Sequence, residues 1–190
     1  MNVGKRIKKM REAQDVSIDK LAALAGVEEA KLRDIESGKA VPSIGVVVKL
    51  SRALGAHMGR LIHEGGTKGE IFSIVTAGHA SDVERHGPPH GATGQGYAYQ
   101  TLLSPEICGQ GMEPFMVEFD PMAAATVQPM THQGEEFLHV LSGTLELMYD
   151  GETYTLKKGD SIYIDSSRPH ALEGLGKTPP KALAVILSKD

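Results

Sequence analysis

Cysteine is almost missing from these 190 residues: Cys108 stands alone, which excludes an internal disulfide. No motif surrounds it, so it reads as an inert thiol rather than a nucleophile. Long apolar stretches are missing too. No N-terminal segment has the length of a signal peptide or a membrane span, and the expectation is a soluble cytoplasmic protein with no membrane role. There is no internal repeat, and strand-type patterning is absent from the first 62 residues or so. The formal charge is only -4, but it is unevenly spread. Residues 1–64 carry 12 Lys/Arg against 8 Asp/Glu, a net of +4, while residues 65–190 carry 8 against 16, a net of -8. The first part can approach a phosphate backbone and the second cannot.

What is present falls into two periodicities. Ile7 and Met10, Leu21 and Leu24, Leu32 and Ile35, then Val47, Leu50 and Leu54 recur at three- and four-residue spacing, which predicts helices. Breaks at Asp15–Ser17, Gly26, Ser37-Gly38, Val41-Pro42-Ser43 and Gly55 cut the segment into four helices and a short fifth near His57–Ile62. Ser17 and Ser43 stand where N-caps belong. Beyond the glycine-rich stretch Gly65–Gly69 the period shortens: Ile71–Val75, Met116–Phe119, Glu136–Leu141 and Ala182–Leu187 read as strands. Asp150-Gly151, between two alternating runs, is a hairpin signal. The second part is therefore an antiparallel sandwich or barrel.

Leu21-Ala-Ala-Leu-Ala-Gly26-Val-Glu28-Glu29-Ala30-Lys31-Leu-Arg33-Asp34-Ile35-Glu36-Ser-Gly-Lys39 holds two short helices joined through Gly26, with Ala22 and Ala25 small enough for a close crossing. This stretch resembles the lambda-repressor-like (XRE) helix-turn-helix family, from about Val3 to Ile62. The resemblance implies that the helix at about Glu28–Glu36 enters the major groove of an operator, with Glu29, Ala30, Lys31, Arg33 and Asp34 on or near its exposed face. Lys31, Arg33, Lys39 and the cluster Lys5, Arg6, Lys8, Lys9 and Arg11 are the expected phosphate contacts, although such a cluster also suits a plain solvated face. Glu28 and Glu29 depart from the Ser, Thr or Gln usual in the family. Carboxylates there oppose phosphates unless they accept from cytosine N4, or else they serve the positive end of the helix dipole.

His132-Gln-Gly-Glu-Glu136 and the later Gly159…Pro169-His170 resemble the two paired motifs of the cupin superfamily. The resemblance implies a double-stranded β-helix barrel whose interior gathers His132, Glu136 and His170. Met130 occupies the place of the family's first histidine, and Asp165 that of a proline. Two imidazoles and a carboxylate suit Fe(II), Zn(II), Mn(II) or Ni(II); with one ligand replaced, a polar pocket that hydrogen-bonds an organic effector directly is the competing reading. Tyr97 and Tyr99 share one strand face and either line that pocket with Met130 or pack in the core. His79, His86 and His90 fall in a Gly/Pro-rich stretch that reads as a solvated loop, with a second metal site or a lid as the alternative, since their spacing fits no compact ligand motif. His139 alternates with Leu138 and faces outward, the face that is often a dimer contact in related barrels.

The expected fold is thus α + β in two domains: residues 1–64 an all-α five-helix helix-turn-helix domain, 65–70 a linker, and 71–190 an all-β cupin barrel. The expected function is a homodimeric transcription regulator that binds a double-stranded DNA operator and senses a small-molecule effector. A mononuclear iron oxygenase of the hydroxypropylphosphonate epoxidase type shares the order of helical domain and cupin, and is the alternative. Its helical-domain lysine falls near Asp15 here, which removes a phosphonate partner.

Overall fold

The computed structural model describes residues 2–56, 58–62, 74–76, 84–86, 96–103, 111–121 and 128–187. The expected linker 65–70, His57, His79, His90 and Cys108 lie outside them. Two compact units are present, one holding the helices and the other the strands.

The helical unit contains α1 (Val3–Ala13), α2 (Ile18–Ala25), α3 (Glu29–Ser37), α4 (Ile44–Ala53) and α5 (Met58–Ile62). Each begins or ends where the sequence breaks. Ser43 caps α4 by accepting from the Val46 amide at 3.3 Å. Ser17 sits at the N-cap of α2 without making a side-chain cap bond, which the sequence did not anticipate, whereas Asn2 caps α1 through the Lys5 amide. Ile7, Leu21, Leu32, Ile35, Leu50 and Leu61 are fully buried and form the core, each contributing about 1.5–3 kcal/mol from apolar burial.

The strand unit contains β1 (Glu84–His86), β2 (Tyr97–Thr101), β3 (Met112–Phe119), β4 (Glu135–Ser142), β5 (Thr144–Tyr149), β6 (Glu152–Lys157), β7 (Ser161–Asp165), β8 (His170–Leu175) and β9 (Lys181–Leu187). They form an antiparallel six-stranded sheet, β1-β2-β3-β9-β4-β7, and a three-stranded sheet, β6-β5-β8. Period-two alternation sends Phe115, Val117, Phe119, Leu138, Val140, Ala182, Ala184 and Ile186 of the larger sheet, and Leu145, Leu147 and Leu156 of the smaller, into the core. Asp150 (φ 52°) and Gly151 (φ 89°) make the β5–β6 turn, both left-handed as a two-residue hairpin requires.

Two expectations need correction. Ile74 and Val75 are not in a strand, and the rest of the expected Ile71–Val75 strand lies outside the described residues. His86, expected in a loop, falls in β1, paired opposite Tyr97.

Candidate nucleic-acid interface and metal centre

Gly26 (φ 61°, ψ 41°) closes α2 in the left-handed region; the amides of Gly26 and Val27 turn back onto the carbonyls of Ala23 and Ala22. A Cβ at Gly26 would meet nothing within 4 Å, so glycine is favoured by the backbone angle rather than by crowding. The chain then re-enters α3, which buries Leu32, Ile35 and Glu36 and leaves Glu29, Ala30, Lys31, Arg33 and Asp34 exposed. Glu28 is the N-cap of α3, again with no side-chain cap bond, and is exposed beside the positive helix end. Lys39, exposed, follows the left-handed Gly38, and its amide donates to the Asp34 carbonyl at 2.9 Å.

Two of the expected phosphate contacts serve the fold instead. Arg11 holds Glu36 through Nε and Nη2, both at 2.7 Å, and its Nη1 donates to the Val16 carbonyl. Both side chains are nearly buried, and the Glu36 hydrogen bond raises the Arg11 pKa further against the opposing effect of burial. Arg6 Nε donates to the Leu61 carbonyl at 2.6 Å, tying α1 to α5. Lys5, Lys8 and Lys9 remain exposed. Gly4 also has a structural role that the sequence did not reveal: a Cβ there would lie 1.9 Å from the Ile35 carbonyl oxygen, so α1 rests directly on the backbone of α3.

In the strand unit, Glu136 on β4 of the larger sheet meets His170 on β8 of the smaller, and His132 from the turn before β4. Glu136 Oε1 lies 2.7 Å from His132 Nε2 and 3.5 Å from His170 Nε2, and the three donor atoms lie within 4.8 Å of one another. The imidazoles are buried, edge to face, with centroids 5.1 Å apart. Burial pushes the Glu136 carboxyl up, but hydrogen bonds and charge from His132 and His170 outweigh it and bring the pKa down to about 2.

The far ring nitrogens are also engaged: His170 Nδ1 lies 2.9 Å from the Arg168 carbonyl and His132 Nδ1 3.4 Å from that of Gln133. Without an ion, each Nε2–H donates toward Glu136; with one bound, the tautomer protonated at Nδ1 would turn each Nε2 lone pair to the ion, the arrangement that metal-ligating histidines adopt. The donor set fits one divalent ion: with bonds of about 2.1 Å, adjacent octahedral ligands sit about 3 Å apart. Met130 pairs with His170 through two backbone hydrogen bonds of 2.9 and 3.0 Å, which places its side chain on His170's face of the sheet. Tyr99 is buried edge-on to Phe115 at 5.7 Å, and Tyr97 lies 5.9 Å from Phe119, so both belong to an aromatic cluster on the inner face of β2 and β3.

Sequence reasoning missed Ser166. Fully buried, it donates its amide to the Gly134 carbonyl at 3.1 Å and accepts from the His132 amide at 2.9 Å, fixing the turn that carries His132. Neither motif names it; its only signal was its place between β7 and His170. Arg168, the cation nearest His170 in sequence, is paired with Asp150. His139 faces away from the triad and meets Ser161 Oγ at 2.8 Å.

A two-helix reader with an exposed second helix, followed in the same chain by a barrel with a His/Glu/His centre, defines a helix-turn-helix protein with a cupin domain. Residues 2–64 match the family described as "Helix-turn-helix domain" and residues 115–186 the family described as "Cupin domain". The chain is 25% identical over 168 residues, 88% of its length and 85% of the relative's, to the HTH-type transcriptional regulator PuuR of Escherichia coli (strain K12). It is 33% identical over 92 residues, 48% of its length and 73% of the relative's, to the uncharacterized protein MJ1618 of Methanocaldococcus jannaschii. Among solved structures, an HTH_3 family transcriptional regulator from Vibrio cholerae superposes with a TM-score of 0.63 at 18% identity, covering 99% of this chain and 96% of that one. The FeII form of HppE superposes with a TM-score of 0.53 at 20% identity, covering 97% of each chain; at these identities the likeness is one of fold. The chain therefore joins an N-terminal helix-turn-helix domain of the XRE-like kind to a C-terminal cupin domain.

Proposed function

We infer that this protein is a cytoplasmic, homodimeric, DNA-binding transcription regulator, with residues 1–64 reading the operator, 65–70 linking, and 71–190 sensing a small molecule. The observation that carries it is α3: its apolar residues Leu32 and Ile35 are fully buried while Glu29, Ala30, Lys31, Arg33 and Asp34 are all exposed, beside Glu28 and Lys39. Such a face has no packing role and suits a major groove.

A divalent ion, Fe(II), Zn(II), Mn(II) or Ni(II), held by His132, Glu136 and His170 gives the effector an electrophilic anchor in a buried site. Met130 is assigned to the effector pocket by its register opposite His170, and Tyr97 and Tyr99 by their place on the inner face of β2. The second copy is assigned to the outer face of the larger sheet, where Pro114, Val185, Phe137 and Tyr163 form one cross-strand row and Met112 and Leu187 begin the next. Tyr163 is 66% and Met112 60% exposed there, a large apolar exposure for a lone barrel.

An iron-dependent epoxidase is disfavoured by charge. Asp15, just past the C-cap of α1, is a carboxylate where those enzymes hold a lysine, and Arg168 is paired with Asp150, which takes away one of the two arginines, Arg85 and Arg168, that could anchor a phosphonate in the strand unit. The test is selection of operators from a random duplex pool with the full chain, followed by screening of metabolites for compounds that shift operator affinity. A sensor requires reciprocal coupling of about 1–3 kcal/mol between effector and operator. Sequence-independent binding together with iron-dependent turnover of phosphonates would reverse the assignment.

A further inference from the structure

On the exposed face of α3, Arg33 Nε and Nη2 both donate to one oxygen of Glu29, Oε1, at 2.9 and 2.5 Å. Glu29 stands one helical turn before Arg33, the order that the helix dipole favours. In a planar guanidinium, Nε–H and the neighbouring Nη2–H form the side of the fork, and that side is turned toward Glu29. The end of the fork, one N–H on each Nη nitrogen, is left with two parallel donors and no hydrogen-bond partner among the described residues; Asp19 of α2 acts on the guanidinium only through charge. Two parallel donors match O6 and N7 of guanine in the major groove. The helix around the fork is bare: Ala30, one turn earlier, carries only a methyl, and the Ser37 hydroxyl, one turn later, is bonded to the Asp34 carbonyl.

We propose that Arg33 reads a guanine in the operator and that Glu29 is its positioning residue, aiming the fork rather than touching a base. This rests on α3 being the groove-facing helix. An unrestrained arginine samples many rotamers and takes phosphates and bases alike; a side-bonded one loses less freedom on binding a base. Exposed pairs of this kind shift populations only about twofold in water. Inside a groove, where water is displaced, the same bond is stronger. Glu29 also works against wrong sequences, because without a guanine to hold Arg33 its carboxylate faces the phosphates uncompensated. The departure from the family's usual polar residues thereby becomes a specificity device.

The test is a set of titrations with the full chain: the selected operator and all its single-base variants, measured for the natural protein and for Arg33→Lys, Glu29→Ala and Glu29→Gln. The natural protein should require guanine at one position of each half-site. Arg33→Lys should cut that discrimination by about tenfold or more while leaving the other positions unchanged. Glu29→Ala should weaken preference at the same position, Glu29→Gln, which keeps a carbonyl acceptor, should retain most of it, and both should bind unrelated DNA more tightly. The substituted side chains are exposed, so helicity by circular dichroism should not change. Uniform loss across all sequences in Arg33→Lys would make Arg33 a phosphate contact and overturn the proposal. So would a change of preference at a different base pair in Glu29→Ala, the mark of a carboxylate reading cytosine directly. A natural protein without sequence preference would overturn the regulator reading itself, which separates the two failures.

Discussion

Met130 and His170 face each other across an isolated antiparallel bridge, each amide donating to the other's carbonyl at 2.9 and 3.0 Å. The bridge puts the Met130 side chain on the same sheet face as the His170 imidazole, so a histidine there is the natural candidate for a fourth donor. Met130→His should therefore tighten divalent metal binding by about tenfold or more, read by competition against a chelator. Unchanged affinity would mean that the Met130 side chain does not reach the ion.

His132→Ala and His170→Ala should each abolish stoichiometric metal, measured by elemental analysis of the purified protein, while far-ultraviolet dichroism stays that of a folded barrel. Retention of metal in both variants would eliminate the site.

Acid should act on the same group. Glu136 has its folded pKa lowered from 4.5 to about 2, so its ionised form contributes stability that is complete above about pH 4.5 and is lost as pH falls toward 2. Glu136→Gln should remove that component of acid unfolding. His132→Ala takes away one of the lowering partners and leaves burial in place, so it should move the loss to higher pH. Chemical denaturation at a series of pH values reads both shifts.

In the helical unit, Arg11→Ala strands the Glu36 carboxylate inside α1 and α3 and should cost about 3–5 kcal/mol in denaturant unfolding. Lys9→Ala, on an exposed position, should stay within about 0.5 kcal/mol. Equal small effects would return Arg11 to the solvated face that charge clustering suggested.

Lys39 gives the electrostatic counterpart. Lys39→Ala should weaken binding about equally for all DNA sequences and reduce the slope of log affinity against log salt by about 1. A change confined to one base pair would instead place Lys39 in the groove.

Helix limits were legible because local chemistry decides them: Gly26 and Gly38 supply the left-handed stops, and Ser43 supplies a cap within three residues. The β5–β6 hairpin was legible for the same reason, since Asp150-Gly151 suits positive φ at both turn positions. The triad could be read because the cupin motifs name its three members and the barrel brings them together. What escaped depends on contacts distant in sequence. Arg11 and Glu36 are 25 residues apart, so a run of basic residues on α1 looked uniform although two of its arginines point inward. Strand β1 is three residues long, too short for alternation to register. Ser166 acts through its backbone, which no side-chain pattern can announce.

The contact of Gly4 with the Ile35 carbonyl, together with the Arg11 fork on Glu36, clamps the C-terminal half of α3 at two points on one side. A helix pinned in this way has no room to tilt or turn within its own unit, because any such movement must break a buried ion pair or drive backbone into backbone. The reading head is cast as one piece with its mount. For the homodimeric sensor proposed above, the consequence is that an effector would act on DNA by moving that whole piece, changing the span between two copies and leaving the lettering on each untouched.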